Sequence, residues 1–268
     1  MSAYVHGYSN REARRLSDQA ETLAEILYGD LRYPKGAVVL EAGCGTGCQT
    51  RVLAAANPHT SFVAMDRSAH SLDLAKQAVA GLGLNNVQFQ QGDIYRPPFA
   101  EGCFDHLFVC FVLEHLPDPI GGLRSLWRLL KPGGTITVIE GDHGSFYCYP
   151  ETVAARRTVE CLTTLQANLG GDALIGRRLY PLLEQAGFAR ARVEPRMIYV
   201  DHSRPGLIEG FSRNTFITMV RGVRDQAIAQ GLIDAFTWDQ GINDLEQAAG
   251  PEGTFCYTFF RGEAQYPQ

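Results

Sequence analysis

A glycine-rich turn between a short apolar strand and a helix is the segment best suited to chemistry. Residues Glu41–Gly47 read Glu-Ala-Gly-Cys-Gly-Thr-Gly, with glycine at every second position. Small residues let a ligand approach the backbone, and the first turn of the following helix offers N–H groups to it. The next strand ends in Asp66, where a carboxylate can accept hydrogen bonds from both hydroxyls of a ribose. The spacing therefore predicts a nucleoside-binding site.

The same turn does not fit a dinucleotide site. Such a site requires Gly-x-Gly-x-x-Gly, whose last glycine allows close packing beneath a pyrophosphate. Counted from Gly43 the last position is Cys48, and counted from Gly45 it is Thr50. The spacing therefore argues against a nicotinamide-dependent enzyme.

Five features, in chain order, resemble motifs of the class I S-adenosylmethionine-dependent methyltransferases. They are the turn Glu41–Gly47, Asp66, Gly92-Asp93-Ile94, Phe104-Asp105-His106 and Leu130-Lys131-Pro132-Gly133-Gly134. The resemblance covers residues 36–140 and implies S-adenosylmethionine as cofactor, S-adenosylhomocysteine as product and methyl transfer to a small organic acceptor. It implies cofactor contacts from Glu41, Gly43, Gly45, Gly47, Gln49, Asp66, Arg67, Asp93, Ile94 and Arg15.

Strands and helices alternate up to residue 140, which predicts a doubly wound sheet. The expected strands are Ala37–Glu41, Ser61–Asp66, Val87–Gln91, Phe104–Leu113 and Thr135–Glu140. The expected helices are Asn10–Tyr28, Gln49–Ala56, Ser68–Gly81 (capped by Ser68) and Ile120–Leu130, and Lys131–Gly134 is an expected turn.

After Pro150 the regular alternation of strands and helices ends. Helices are predicted over Glu151–Leu169 and Gly176–Gly187, strands over Arg192–Asp201 and Thr254–Arg261, and mostly helix over Pro205–Gly250. The resemblance implies a Rossmann-like α/β fold with a seven-stranded mixed sheet whose last strand is antiparallel. We expect a single methyltransferase domain over residues 1–268, with an N-terminal cap (1–35), a sheet core (36–201 and 253–268) and a helical lid (202–252).

Polar residues at the ends of the fourth and fifth strands are candidates for the acceptor side. The carboxyl ends of parallel strands meet at the edge where such sheets bind ligands. His115 follows the fourth strand, and Asp142 and His143 follow the fifth. His143 can take a proton from a hydroxyl, an amine or a carbon acid, although its flanking glycines are also compatible with a purely structural turn.

The N-terminal segment adds two candidates through the resemblance. Tyr8 would overhang the transferred methyl group, and Arg15 would pair with the methionine carboxylate of the cofactor. The alternative is an ordinary amphipathic helix with solvated arginines.

Composition restricts the class of partner. The 268 residues carry a net charge of −5, which is unfavourable for binding nucleic acid, and no apolar run reaches the ~18 residues of a membrane span. The seven cysteines are scattered, so we expect free thiols in a reducing cytoplasm and no bound metal. The sequence leaves open whether the protein forms a homodimer.

Three other functions remain open. The same fold and cofactor can support intramolecular cyclisation or transfer of another alkyl group from S-adenosylmethionine. A non-catalytic ligand-binding protein and a nicotinamide-dependent protein are further alternatives.

Overall fold

The computed structural model describes residue 20 and residues 22–267, and within them seven strands form one sheet of order β3-β2-β1-β4-β5-β7-β6. The strands are β1 Val38–Ala42, β2 Ser61–Asp66, β3 Val87–Gln91, β4 Phe104–Cys110, β5 Leu130–Tyr149, β6 Ala189–Val200 and β7 Thr254–Gln265. β1 to β5 pair in parallel, and β7 is antiparallel to both β5 and β6. The expected mixed sheet with an antiparallel last strand is confirmed.

From residue 48 onward the helices are α1 Cys48–Ala56, α2 Ala69–Ala80, α3 Pro119–Trp127, α4 Val153–Asn168, α5 Leu179–Ala186, α6 over residues 205–221, α7 Arg224–Ala229 and α8 Ala235–Ala248. The middle of α6, Ile208–Ile217, is π-helical. Ser68 caps α2 as predicted, because its hydroxyl accepts the N–H of Ser71 at 3.2 Å. Of the predicted helix Asn10–Tyr28, residues 22–27 are helical, and residues before 20 lie outside the described part. No helix in the described residues is long and apolar enough to cross a membrane.

Two strands differ from the prediction at the edge where the site was expected. β4 ends at Cys110 and not at Leu113, because Phe111 adopts a φ of 57° and a 3₁₀ turn follows over Leu113–His115. β5 does not end at Glu140 but continues to Tyr149 as a partner of β7, so Asp142 and His143 lie within a strand.

The expected turn Lys131–Gly134 also lies inside β5. It is an irregularity at the start of that strand, where the register with β4 shifts between Phe104 and His106.

Apolar residues pack on both faces of the sheet. On one face, side chains such as Val39 and Phe108 pack with residues of α4, α6, α7 and α8. On the other face, Leu40 and Val109 pack with residues of α3 and α5. Neighbours along a strand thus point to opposite cores, as a sheet covered on both sides requires.

Helix α8 packs closely against α4 at a glycine. A Cβ at Gly241 would collide with the Thr158 hydroxyl and the Ala154 carbonyl oxygen. Nearby, Thr152 caps α4 and donates its hydroxyl to Asp244 of α8 at 2.6 Å. The helical insertion between β6 and β7 is therefore held against the rest of the fold by specific contacts.

Gly241→Ala should lower the free energy of unfolding by about 1–3 kcal/mol, because the added methyl group forces α4 and α8 apart. Urea denaturation measures this change. Gly206→Ala in α6 is the matched control, since no atom lies within 4 Å of a Cβ there. Equal stabilities for the two variants would contradict the packing described.

Candidate active site

The glycine-rich turn joins β1 to α1 at the carboxyl edge of the sheet. Gly43, Gly45 and Gly47 have φ values of 84°, 53° and 77°. A Cβ at Gly43 would collide with Val112, and one at Gly47 would lie 2.9 Å from the Cβ of Ala75. No atom lies within 4 Å of a Cβ at Gly45. Packing therefore requires the first and third glycines, and the backbone at the second is open to a ligand.

Asp66 ends β2 beside this turn. Its Oδ2 accepts the N–H of Gly45 at 2.9 Å, and its Oδ1 accepts the N–H of Ser68 at 2.8 Å. A carboxylate has about four lone-pair sites, so both oxygens can still accept other donors. The two hydrogen bonds from the backbone therefore fix the orientation of the carboxylate and leave some of its lone pairs available to other donors.

The remaining predicted cofactor contacts differ in exposure. Asp93 is exposed just after β3, where its Oδ1 accepts the N–H of Tyr95 at 2.9 Å. Gln49 is half-buried in the first turn of α1, and Arg67 is exposed. The side chain of Ile94 packs into the core on the α3 face.

Glu41 is a buried acid beneath the turn. Its Oε2 accepts the Thr50 hydroxyl at 2.5 Å. Burial raises the pKa of Glu41 to about 8, the Thr50 hydrogen bond opposes this rise, and the charge of Asp66 adds to it. Without a ligand the side chain therefore holds a proton at neutral pH.

Tyr8 and Arg15, the two candidates from the N-terminal segment, lie outside the described residues.

Asp142 is buried and forms a bidentate ion pair with the half-exposed Arg177. Arg177 donates from Nε to Oδ2 at 2.7 Å and from Nη2 to Oδ1 at 2.8 Å, and Gly144 N–H donates to Oδ1 at 3.0 Å. This hydrogen bonding raises the pKa of Arg177. The geometry favours a structural role for Asp142, which fastens β5 to the short turn Ile175–Arg178.

His143 is buried, and its ring is held by a residue from the other end of the chain. Its Nδ1 lies 2.6 Å from the hydroxyl of Tyr257 in β7. Its backbone N–H donates to Ala173 O at 2.9 Å, and its ring meets Phe216 of α6 edge-on. Sequence reasoning missed Tyr257, because only the pairing of β5 with β7 brings the two residues together.

Glu140 supports the loop that follows β4. Its Oε1 accepts the N–H groups of Val112 at 2.9 Å and Leu113 at 2.7 Å, and its Oε2 has no hydrogen-bond partner in the described chain. Burial, with repulsion from Glu114, raises the pKa of Glu140 well above its ordinary range. Because Val112 packs against Gly43, this acid links β5 to the glycine turn.

His115 lies at the end of the same loop. Its Nε2 is 3.6 Å from Oε1 of Glu114, and Glu114 Oε2 accepts the side-chain N–H of Gln166 at 2.9 Å. The sheet edge therefore carries the glycine turn and Asp66 on one part, and His115 and His143 on another part, around β4 and β5. No group of three or more His, Cys, Asp or Glu side chains that could hold a metal ion occurs among the described residues.

The fold and the glycine turn define a Rossmann-like class I methyltransferase architecture, and comparisons with known proteins agree. Residues 40–138 match a family model described as a methyltransferase domain. Over residues 40–138 the chain is therefore similar to methyltransferase domains, and its sheet has the strand order of the class I methyltransferase fold.

Its curated relatives are only partly spanned by this chain. It is 28% identical over 238 residues to an uncharacterised 37.1 kDa protein from transposon Tn4556 of Streptomyces fradiae, covering 88% of this chain and 64% of that protein. It is 32% identical over 134 residues to demethylmenaquinone methyltransferase of Lactococcus lactis, covering 50% of this chain and 51% of that enzyme.

Among solved structures, phosphoethanolamine N-methyltransferase 2 of Haemonchus contortus, in complex with S-adenosylmethionine, aligns with a TM-score of 0.56 at 16% identity. The alignment covers 92% of this chain and 52% of that one. At this identity the likeness establishes the fold.

Glu41→Gln should remove part of the pH dependence of stability in the ligand-free protein. The pKa of Glu41 is raised on folding, so wild-type stability falls as pH rises from the unfolded pKa near 4.5 towards about 8. Glutamine can still accept the Thr50 hydroxyl but cannot ionise. Urea denaturation should therefore show a gain of roughly 2–4 kcal/mol at pH 8 and little change at pH 5.

Glu160→Gln, at an exposed position of α4, is the control and should leave the pH profile of wild type unchanged. A Glu41→Gln profile parallel to wild type between pH 5 and 8 would contradict the buried-acid assignment.

Proposed function

We propose that this protein binds S-adenosylmethionine along the glycine turn and transfers its methyl group to a small organic acceptor. The observation that carries the proposal is the open backbone at Gly45 beside the oriented carboxylate of Asp66. A ligand can approach the backbone at Gly45, and the carboxylate of Asp66 beside it can accept hydrogen bonds from ribose hydroxyls. This combination suits a nucleoside without phosphates.

The residues present fit that cofactor. Asp66 would accept the ribose hydroxyls, and the exposed Asp93 would lie beside the adenine. Gln49 lies in the first turn of α1, on the side proposed for the methionine end of the cofactor, and Glu41 lies in β1 beneath the turn. When bound, the cofactor supplies an electrophilic methyl group on a sulfonium.

The acceptor would bind above β4 and β5, near His115 and His143. Methyl transfer is an in-line displacement, so holding the acceptor in line can supply roughly 7–11 kcal/mol of the barrier. The side chains available to hold the acceptor are aromatic. A chain of ring contacts beside His143 is formed by Phe146, Phe211, Phe216, Phe255, Tyr257 and Phe259.

The helical insertion would act as a lid over that acceptor pocket within a single catalytic domain, because α6 and α8 pack on the face that carries His143 and Tyr257. The relatives named above support a small acceptor, since demethylmenaquinone and phosphoethanolamine are small molecules.

Asp66→Ala should weaken binding of S-adenosylhomocysteine by roughly 10- to 100-fold, because charge-assisted hydrogen bonds to the ribose are lost. Isothermal titration calorimetry measures the dissociation constant. Asp73→Ala, at an exposed position of α2, serves as the control and should bind as wild type does. Unchanged affinity in Asp66→Ala would refute the ribose assignment.

The reaction itself is tested by incubating the protein with methyl-labelled S-adenosylmethionine and a metabolite extract, followed by mass spectrometry. Label in a new metabolite together with S-adenosylhomocysteine supports methyl transfer. Methylthioadenosine without a methylated acceptor would instead indicate cleavage or cyclisation of the cofactor.

A further inference from the structure

The chain leaves β4 through a strained backbone. Phe111 adopts a φ of 57°, a left-handed conformation that a side chain of this size rarely adopts, because Cβ lies too close to the following carbonyl oxygen. Its N–H donates to Ile139 O at 2.9 Å, and its ring contacts that of Phe259 with centroids 5.5 Å apart. Such strain persists only where the surroundings hold it, and it clusters at functional sites. Here β5 and β7 hold Phe111 at the carboxyl edge of the sheet.

The side chain of Glu140 stabilises the backbone that follows. The pairing of β4 with β5 ends at this point, so the N–H groups of Val112 and Leu113 have no strand to donate to. Oε1 of Glu140 accepts both, at 2.9 Å and 2.7 Å. Glu140 is fully buried, so the two hydrogen bonds are shielded from water. One side-chain oxygen from β5 therefore holds the turn that begins at Phe111.

These hydrogen bonds need an oxygen and not a negative charge. Burial, with repulsion from Glu114 next in effect, raises the pKa of Glu140 well above its ordinary range, so the acid is neutral at pH 7. Both N–H groups donate to the same oxygen, and a glutamine side chain also has a carbonyl oxygen. Glutamine at position 140 should therefore support the turn, whereas alanine should not.

The turn places Val112 against the glycine turn. Cγ2 of Val112 lies 2.5 Å from the position that a Cβ at Gly43 would take. The N–H of Gly43 donates to Met65 O at 2.7 Å, so Gly43 lies between β2 and the Val112 side chain. Glycine has many accessible backbone conformations, and removal of the side chain on one side would make more of them available. Val112 therefore restricts the glycine turn to the observed shape.

We propose that Glu140 is a positioning residue for the cofactor, which holds the turn at Phe111 and thereby keeps Val112 against Gly43 and the glycine turn in its binding shape. The inference rests on the proposed function, because it takes the glycine turn as the site of S-adenosylmethionine. A protein whose binding-competent shape is only partly populated binds its ligand more weakly by that fraction. Loss of the Glu140 support should therefore lower cofactor affinity indirectly, through Val112 and Gly43.

Calorimetric titration with S-adenosylhomocysteine tests the role of Glu140. Glu140→Ala leaves the N–H groups of the turn without their acceptor and should weaken binding at least about 10-fold. Glu140→Gln keeps the accepting oxygen and should bind within about threefold of wild type. Glu263→Ala is the control for lost stability, since it removes an ion pair of the buried Arg261 on β7, and it should bind as wild type does. Thermal melting establishes that each variant is folded at the temperature of the titration.

Val112→Ala tests the last contact in this series with a smaller change, and it decides the matter if Glu140→Ala does not fold. It removes the methyl groups that lie against Gly43 and should weaken binding roughly 3- to 10-fold. Val193→Ala on β6 is the matched control. Val193 is also partly buried against the core on the α3 and α5 face, and its loss should leave the affinity unchanged.

The strain at Phe111 is tested without any ligand. Phe111→Gly and Phe111→Ala both remove the ring, but only glycine adopts a left-handed φ at little cost. Urea denaturation should therefore find the glycine variant more stable than the alanine variant. Phe89 in β3 is also partly buried and has ordinary strand geometry. The same two substitutions there should give the reverse order, because glycine weakens a strand relative to alanine.

Wild-type affinity in a folded Glu140→Ala variant would overturn the inference, and so would equal losses in Glu140→Ala and Glu140→Gln. Wild-type affinity in Val112→Ala, or an alanine variant of Phe111 at least as stable as the glycine variant, would also overturn it. Failure of the wild type to bind S-adenosylhomocysteine would refute the proposed function instead. The order of stabilities at Phe111 would still test the strained turn in that case.

Discussion

Two acidic side chains, the half-buried Asp66 and the buried Glu140, accept backbone N–H groups and hold the carboxyl edge of the sheet in place. Asp66 binds the N–H groups of Gly45 and Ser68, and Glu140 binds those of Val112 and Leu113. Each loop leaves N–H groups that the strands cannot satisfy, and an unsatisfied buried N–H costs about 1–3 kcal/mol. The two acids satisfy these groups and link β2, β1, β4 and β5 across the edge. The glycine turn keeps its shape because its neighbours on both sides are fixed in this way.

The antiparallel last strand adds the other half of the site. β7 runs between β5 and β6 and continues beyond the parallel part of the sheet, with Tyr257 opposite Ile198 in the register with β6. This extension places the phenol of Tyr257 over Gly141 and against His143. The helical insertion that precedes β7 then covers the same face with Phe211 and Phe216. A strand and its preceding insertion therefore together enclose the ring of His143, where the acceptor is proposed to bind.

The local features of the fold were predictable from the sequence, and the long-range ones were not. The bounds of β2 and β3, the Ser68 cap and the glycine turn follow from patterns within a few residues of each other. The end of β4 was missed because Phe111 adopts a positive φ, which a side chain of that size rarely does. The bond between His143 and Tyr257 joins residues 114 positions apart, and nothing local distinguishes Tyr257 from the other aromatic residues of β7. The ion pair between Asp142 and Arg177 could not be predicted either, because two consecutive arginines such as Arg177-Arg178 usually lie on a solvent-exposed surface.

The proposed function requires that this sheet edge accepts S-adenosylmethionine and not a dinucleotide. Parallel calorimetric titrations of the wild-type protein with S-adenosylmethionine and with NAD test it most directly. We predict saturable binding of S-adenosylmethionine to one site per chain and no measurable heat from NAD. Tight binding of NAD without binding of S-adenosylmethionine would contradict the account.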